Sequence, residues 1–144
     1  PEGPEIAQRL AGYKTALERS GLEYDDALVV PTHFQVESAE ASVDALLSKR
    51  TEFDGIFASS DTIALGAIRA LQHRGISVPE DVSVVGYDDI QFAQYSRPSL
   101  TTIRQDLVKA GNLMVSKLLN AETSKDMRSE RLPTDVIVRE SCGA

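Results

Sequence analysis

Two short polar clusters hold the residues best suited to chemistry: Ser59-Ser60-Asp61 and Tyr87-Asp88-Asp89, each just past an apolar run. An ionised Asp88 has two acceptor oxygens and can bridge neighbouring hydroxyls of a polyol; as a bland alternative, Asp88 and Asp89 simply suit a turn. Ser60 can cap a helix and face a ligand with the same hydroxyl, whereas Asp61 reads as mainly structural beside that cap. Phe34, in the polar stretch Thr32-His33-Phe34-Gln35, can stack on the apolar face of a sugar or purine, or anchor its loop. His33 is a plain surface histidine. Ser60, Asp61 and His73 make a nominal catalytic triad. However, His73 lies late on the helix that Asp61 starts, which separates it from Ser60 by roughly 20 Å at the helical rise. A hydrogen-bonded triad needs roughly 3 Å. No phosphate-cradling glycine loop and no His/Cys metal spacing occurs in the sequence. The chemistry on offer is therefore binding, not catalysis, and no metal or cofactor is expected.

The elements around these clusters are legible. Gly55-Ile56-Phe57-Ala58 is a short apolar run of strand type. Ile63, Ala64, Ile68 and Leu71, with Leu65 and Ala67 beside them, form a broad apolar stripe at helical spacing. Gly75 can end that helix in the left-handed conformation. Pro79-Glu80-Asp81 turns the chain, and Val82–Gly86 reads as a second buried strand. Strand, helix, strand in this order forms a βαβ unit with parallel neighbouring strands. Ligands of such sheets bind beyond the carboxyl ends of the strands, where both polar clusters fall.

The same reading extends along the chain. Ile6, Leu10, Tyr13 and Leu17 repeat at helical spacing, with Pro4 and Glu5 in the first turn and Ser20-Gly21 as the stop. Ala27-Leu28-Val29-Val30 predicts a strand, Val36–Lys49 a helix, Leu100–Ile103 a strand, Asp106–Asn120 a helix and Val136-Ile137-Val138 a last strand. Asp89–Ser99 is irregular, and Asn120–Arg131 reads as a polar loop. Alternation of this kind predicts an α/β fold, a doubly wound, mostly parallel sheet flanked by helices. Such a domain usually opens on a central strand. This chain opens on a helix, so a sequence cut at its front is expected.

With 144 residues, 42% hydrophobic and 26% charged, the chain can bury a proper core. Its net charge of −7 argues against nucleic-acid binding by these residues. No apolar run is long enough for a bilayer. Cys142 is the one cysteine, which excludes an intrachain disulfide and fits a reducing, cytoplasmic compartment.

Several motifs occur together and in order: Arg9-Leu10-Ala11-Gly12-Tyr13; Ser60-Asp61 with Ala64-Leu65-Gly66-Ala67; Val78-Pro79-Glu80-Asp81-Val82-Ser83-Val84-Val85-Gly86-Tyr87-Asp88; and Pro98-Ser99-Leu100-Thr101-Thr102-Ile103-Arg104-Gln105. Together they resemble the C-terminal part of lactose/galactose-repressor-type (LacI/GalR) transcriptional regulators. The match runs on to Leu132-Pro133 and Val136–Arg139. The resemblance implies a periplasmic-binding-protein-like C-lobe fragment without most of its N-lobe and without the DNA-binding headpiece. The helix over 105–120 would belong with that N-lobe, and Thr101–Arg104 and Asp135–Val138 would cross between lobes. It implies a sugar or sugar derivative as effector, contacted by Arg9, Phe34, Ser60, Asp88 and Gln105. Arg9 could also be an ordinary surface arginine. The resemblance further implies a homodimer with Leu65, Phe92 and Tyr95 on its surface, and DNA contact only through the headpiece. A solute-binding protein of a sugar transport system is the alternative of the same fold.

Overall fold

The computed structural model describes residues 3–49, 52–120 and 129–144. In chain order the helices are α1 (Pro4–Arg19), α2 (Val36–Ser48), α3 (Asp61–His73) and α4 (Leu107–Asn120). The strands are β1 (Gly55–Phe57), β2 (Ser83–Asp88), β3 (Thr101–Gln105) and β4 (Thr134–Ile137). They form one open sheet in the order β1-β2-β3-β4. β1 pairs parallel with β2, placing Phe57 against Val85, and β2 pairs parallel with β3. β4 runs antiparallel to β3, so the sheet is mixed.

The core gathers around α3 because its sequence is apolar over a wide arc. Ile63, Ala64, Ala67, Ile68, Ala70 and Leu71 are all buried, against Val82 and Val84 of the β2 side, Leu100 ahead of β3, and Ala39 and Val43 of α2. Fully buried Leu71, Leu100 and Val84 each contribute about 1.5–3 kcal/mol relative to exposure. Small residues set the approach of α2 to α3. A Cβ on Gly66 would lie 2.5 Å from the Val36 carbonyl oxygen and 2.7 Å from the Ala39 Cβ. Ion pairs Arg69–Glu40 at 2.7 Å and Arg74–Asp44 at 2.8 Å edge the same seam. Both are partly exposed, and such pairs add about 1 kcal/mol or less each. Gly75, at φ 72°, follows the end of α3 as expected.

Two helices stand apart from this core. Neither α1 nor α4 buries a residue fully. On α4, Leu107, Val108, Met114, Val115, Leu118 and Leu119 are between 57% and 76% exposed.

The tertiary structure corrects some readings. Ala27–Val30 is not a strand of the sheet: Asp26–Leu28 is a 3-10 turn, capped by the Asp25 carboxylate accepting from the Ala27 N–H at 2.8 Å. That local side-chain bond offers the backbone an alternative to a ladder. The last strand begins at Thr134, ahead of the predicted Val136, and lies antiparallel at an edge. Most of the Asn120–Arg131 segment lies outside the described residues.

Candidate functional site

The carboxyl end of β1 is extended by the Ala58 N–H, which donates to the Val85 carbonyl at 2.8 Å. Ser59 and Ser60 follow. Arg9, on α1, donates from Nη1 to the Ser59 carbonyl at 2.6 Å. The Ser60 hydroxyl accepts from the Ile63 N–H at 3.3 Å and so caps α3; the residue is 4% exposed. The cap is thus Ser60, and Asp61 does something else. It is fully buried, one carboxylate oxygen accepting from the Thr102 hydroxyl and the other from the Ile90 N–H at 2.8 Å. It therefore ties the start of α3 to β3 and to the chain leaving β2. Burial pushes the Asp61 carboxyl above its ordinary value, the bonds from Thr102 and Ile90 oppose this, and the charges of Asp88 and Asp89 add to it. Gly86 makes the room: a Cβ there would collide with the Asp61 carboxylate.

At the end of β2, Asp88 and Asp89 have φ of 113° and 51°, two consecutive non-glycine residues in the positive region. Asparagine and aspartate tolerate this conformation better than most residues. It turns the two carboxylates to different partners. Gln105, closing β3, donates from Nε2 to Asp88 Oδ1 at 2.9 Å. Burial raises the Asp88 carboxyl, while the Arg9 charge and the Gln105 bond act to lower it. Asp89 goes the other way. Burial would raise it, but Arg139 Nη2 at 2.7 Å and Arg104 Nε at 2.6 Å hold it below the usual range. The Arg9 guanidinium lies over the Tyr87 ring, 3.7 Å from its centroid, a cation–π contact that fixes the side chain over the strand ends.

Arg9, Tyr87, Asp88 and Gln105 are thereby joined in one group above the carboxyl ends of β2 and β3, with Ser59 and Ser60 at the neighbouring end of β1. A cavity of about 380 Å³ opens beside Asp88 and Gln105 and extends to Asp106, Leu107 and Asp135. Its donors and acceptors suit a polar ligand. Of its lining, Asp88 can accept from hydroxyls, and Gln105 and Arg104 can donate. Among the described residues no group of His, Cys, Asp and Glu could hold a metal ion.

The other expected positions fall as follows. Phe34 sits on the loop just before α2 and is 57% exposed, so it is not a buried loop anchor. Leu65 is half-buried: it packs in part against the core and leaves part of its side chain open. Phe92 and Tyr95 are 71% and 68% exposed, on and just after a 3-10 turn over Gln91–Gln94. Sequence reasoning placed Thr102 and Arg139 in motifs but gave neither a role at the site. A threonine in a β-branched strand and an arginine after the last strand carry no local signal of their long-range partners.

The sequence profile of the periplasmic binding protein-like domain matches residues 1–142. The chain belongs to that family, among the LacI-type regulators. The ribose operon repressor of Haemophilus influenzae is 37% identical over 139 residues, covering 94% of this chain and 42% of the repressor. A LacI-family regulator from Enterococcus faecium, solved with bound ribose, superposes with a TM-score of 0.84 at 32% identity, covering 98% of this chain and 53% of that one. The lac repressor dimer bound to operator superposes with a TM-score of 0.86 at 28% identity, covering 97% and 42%. This LacI-type chain thus spans under half the length of the curated relative. The relatives are transcriptional regulators, and no described helix is long and apolar enough to cross a membrane.

Proposed function

We propose that this chain is the effector-binding part of a LacI-type transcriptional regulator and that its effector is a neutral sugar or sugar derivative. One observation carries the reading: the Asp88 carboxylate at the carboxyl end of β2, bonded by Gln105 and facing the charge of Arg9. A carboxylate with free lone pairs beside fixed donors is the usual recognition chemistry for vicinal hydroxyls. Arg9 and Gln105 complete the contact, Ser60 shapes the rim while capping α3, and Phe34 offers an exposed ring for the sugar's apolar face. The relatives are regulators, which favours this role over that of a transport solute-binding protein.

The remaining apolar surface supports the rest of the architecture. The exposed apolar residues of α4 fit a helix that packs into a second lobe, with β3 and β4 as crossings. Exposed Phe92 and Tyr95, with the half-buried Leu65, fit a homodimer surface. DNA would be bound through a separate headpiece, in the cytoplasm, and the effector would act by preferring one arrangement of the lobes. An effector with about 100-fold preference shifts that equilibrium by about 2.7 kcal/mol.

The test is calorimetric titration of the protein with D-ribose, cellobiose and other neutral sugars, wild type beside Asp88→Asn. Binding by the wild type that the variant loses supports the reading; equal binding by both removes Asp88 from the site. For the dimer, sedimentation of Phe92→Ser should show dissociation at micromolar concentration, and a stable wild-type monomer would refute it.

A further inference from the structure

We infer that Asp89, locked by Arg104 and Arg139, is a positioning residue that fixes the backbone turn presenting Asp88. Its functional consequence rests on the Asp88 reading above. The turn itself is unfavourable, since both Asp88 and Asp89 have positive φ, and such a pair persists only where its surroundings over-determine it. The surroundings here are specific. Both oxygens of the Asp89 carboxylate are engaged, Oδ1 by Arg139 Nη2 at 2.7 Å and Oδ2 by Arg104 Nε at 2.6 Å. The Asp89 side chain is 9% exposed and that of Arg139 16%, so this pair is shielded from solvent and salt. Arg139 is itself held, donating from Nη1 to the Leu100 carbonyl at 2.7 Å and from its backbone N–H to Thr101 Oγ1 at 2.8 Å. The backbone N–H groups of Asp89 and Ile90 are tied to Thr102 and Asp61. The turn is thus pinned from side chain and main chain at once.

The two arginines come from two different segments. Arg104 belongs to β3 and faces Asp135 of β4 in the register; Arg139 follows the end of β4. A shift of β3 against β4 would pull the two cations apart and could not leave both bonds to one carboxylate intact. Asp88, one residue away and bonded to Gln105 at the end of β3, would move with the turn. Asp89 therefore makes the geometry of the effector contact depend on the alignment of these two strands.

The experiment is amide hydrogen exchange by NMR on this chain without ligand, for wild type, Arg104→Gln, Arg104→Lys and Arg139→Gln. Arg104→Gln and Arg139→Gln should each speed exchange at the Asp89 and Ile90 amides about tenfold or more, with the Leu71 amide of α3 unchanged. Arg104→Lys keeps the cation and should restore protection, which a packing role for the side chain would not require. If Arg139→Gln loosens the whole core, Arg104→Gln decides, because that side chain is 51% exposed. Unchanged exchange at Asp89 and Ile90 in Arg104→Gln, or equal exchange in Arg104→Gln and Arg104→Lys, overturns the inference. This readout needs no effector, so its failure is distinct from a failure of Asp88→Asn to alter sugar binding.

Discussion

Asp88→Asn should weaken effector binding strongly while leaving the fold as stable as before or more so. Asparagine is the substitution of choice, since φ at this position is 113° and asparagine, the isostere of aspartate, is like it enriched among non-glycine residues at positive φ. An alanine would confound the result with strain of about 1–3 kcal/mol. Gln105 already occupies one lone pair of Oδ1, so the effector can reach Oδ2 and what remains of Oδ1. The asparagine retains one acceptor oxygen, which can still serve Gln105. It loses the charge and replaces the second acceptor with a donor. A hydrogen bond to a charged group contributes about 1.5–3 kcal/mol. Losing one, together with the charge, should cost about 2–3 kcal/mol, which is roughly 30- to 150-fold in affinity. Stability should move the opposite way. Burial raises the Asp88 carboxyl above its ordinary value, so the ionised form is disfavoured in the folded chain at neutral pH. Removing that charge relieves the penalty, and the melting temperature should hold or rise. The assay is calorimetric titration with a sugar identified by thermal-shift screening, beside thermal unfolding of the free protein. An affinity within twofold of wild type, or a fall in melting temperature that accounts for weaker binding, would refute the reasoning.

The acid limb of binding should report the same group: because the Asp88 carboxyl titrates above the ordinary ~3.9, affinity should decline as pH drops through a value higher than that, and Asp88→Asn should flatten the profile. Asp89 should behave oppositely in stability. Its folded value is depressed, so its contribution is complete above ~3.9 and lost as pH falls through the lower folded value; denaturant midpoints measured against pH should show this limb reduced in Asp89→Asn. Thr102→Val removes the hydroxyl that serves buried Asp61 and should cost about 1–3 kcal/mol in urea unfolding; a neutral outcome would mean that this bond does not hold the site together. Gly66→Ala must push α2 away from α3, given the contacts at 2.5 Å and 2.7 Å, and should cost about 1–3 kcal/mol; a wild-type midpoint would show that the seam yields freely.

The amino-acid order by itself determined the local elements and which strand ends would carry polar groups. The α3 stripe, the Gly75 stop and the Val82–Gly86 run made the βαβ unit legible, because hydrophobic periodicity and stop residues act over a few neighbours. The family motifs put Arg9, Asp88 and Gln105 into one expectation, and the fold sets Arg9 over the ring of Tyr87, the neighbour of Asp88, and bonds Gln105 to Asp88. What only the tertiary structure decided were matters of distant partners. Ala27–Val30 looks like a strand, yet an Asp25-capped turn took its place outside the sheet. Asp61 looks like a structural residue beside a helix cap, yet folding buries it and assigns its two oxygens to residues 41 and 29 positions away. Asp89 looks like a spare turn residue, yet it receives cations from β3 and from beyond β4. A carboxylate's role depends on which donors the fold carries to it, and that is a property of the assembled sheet, not of any short window of sequence.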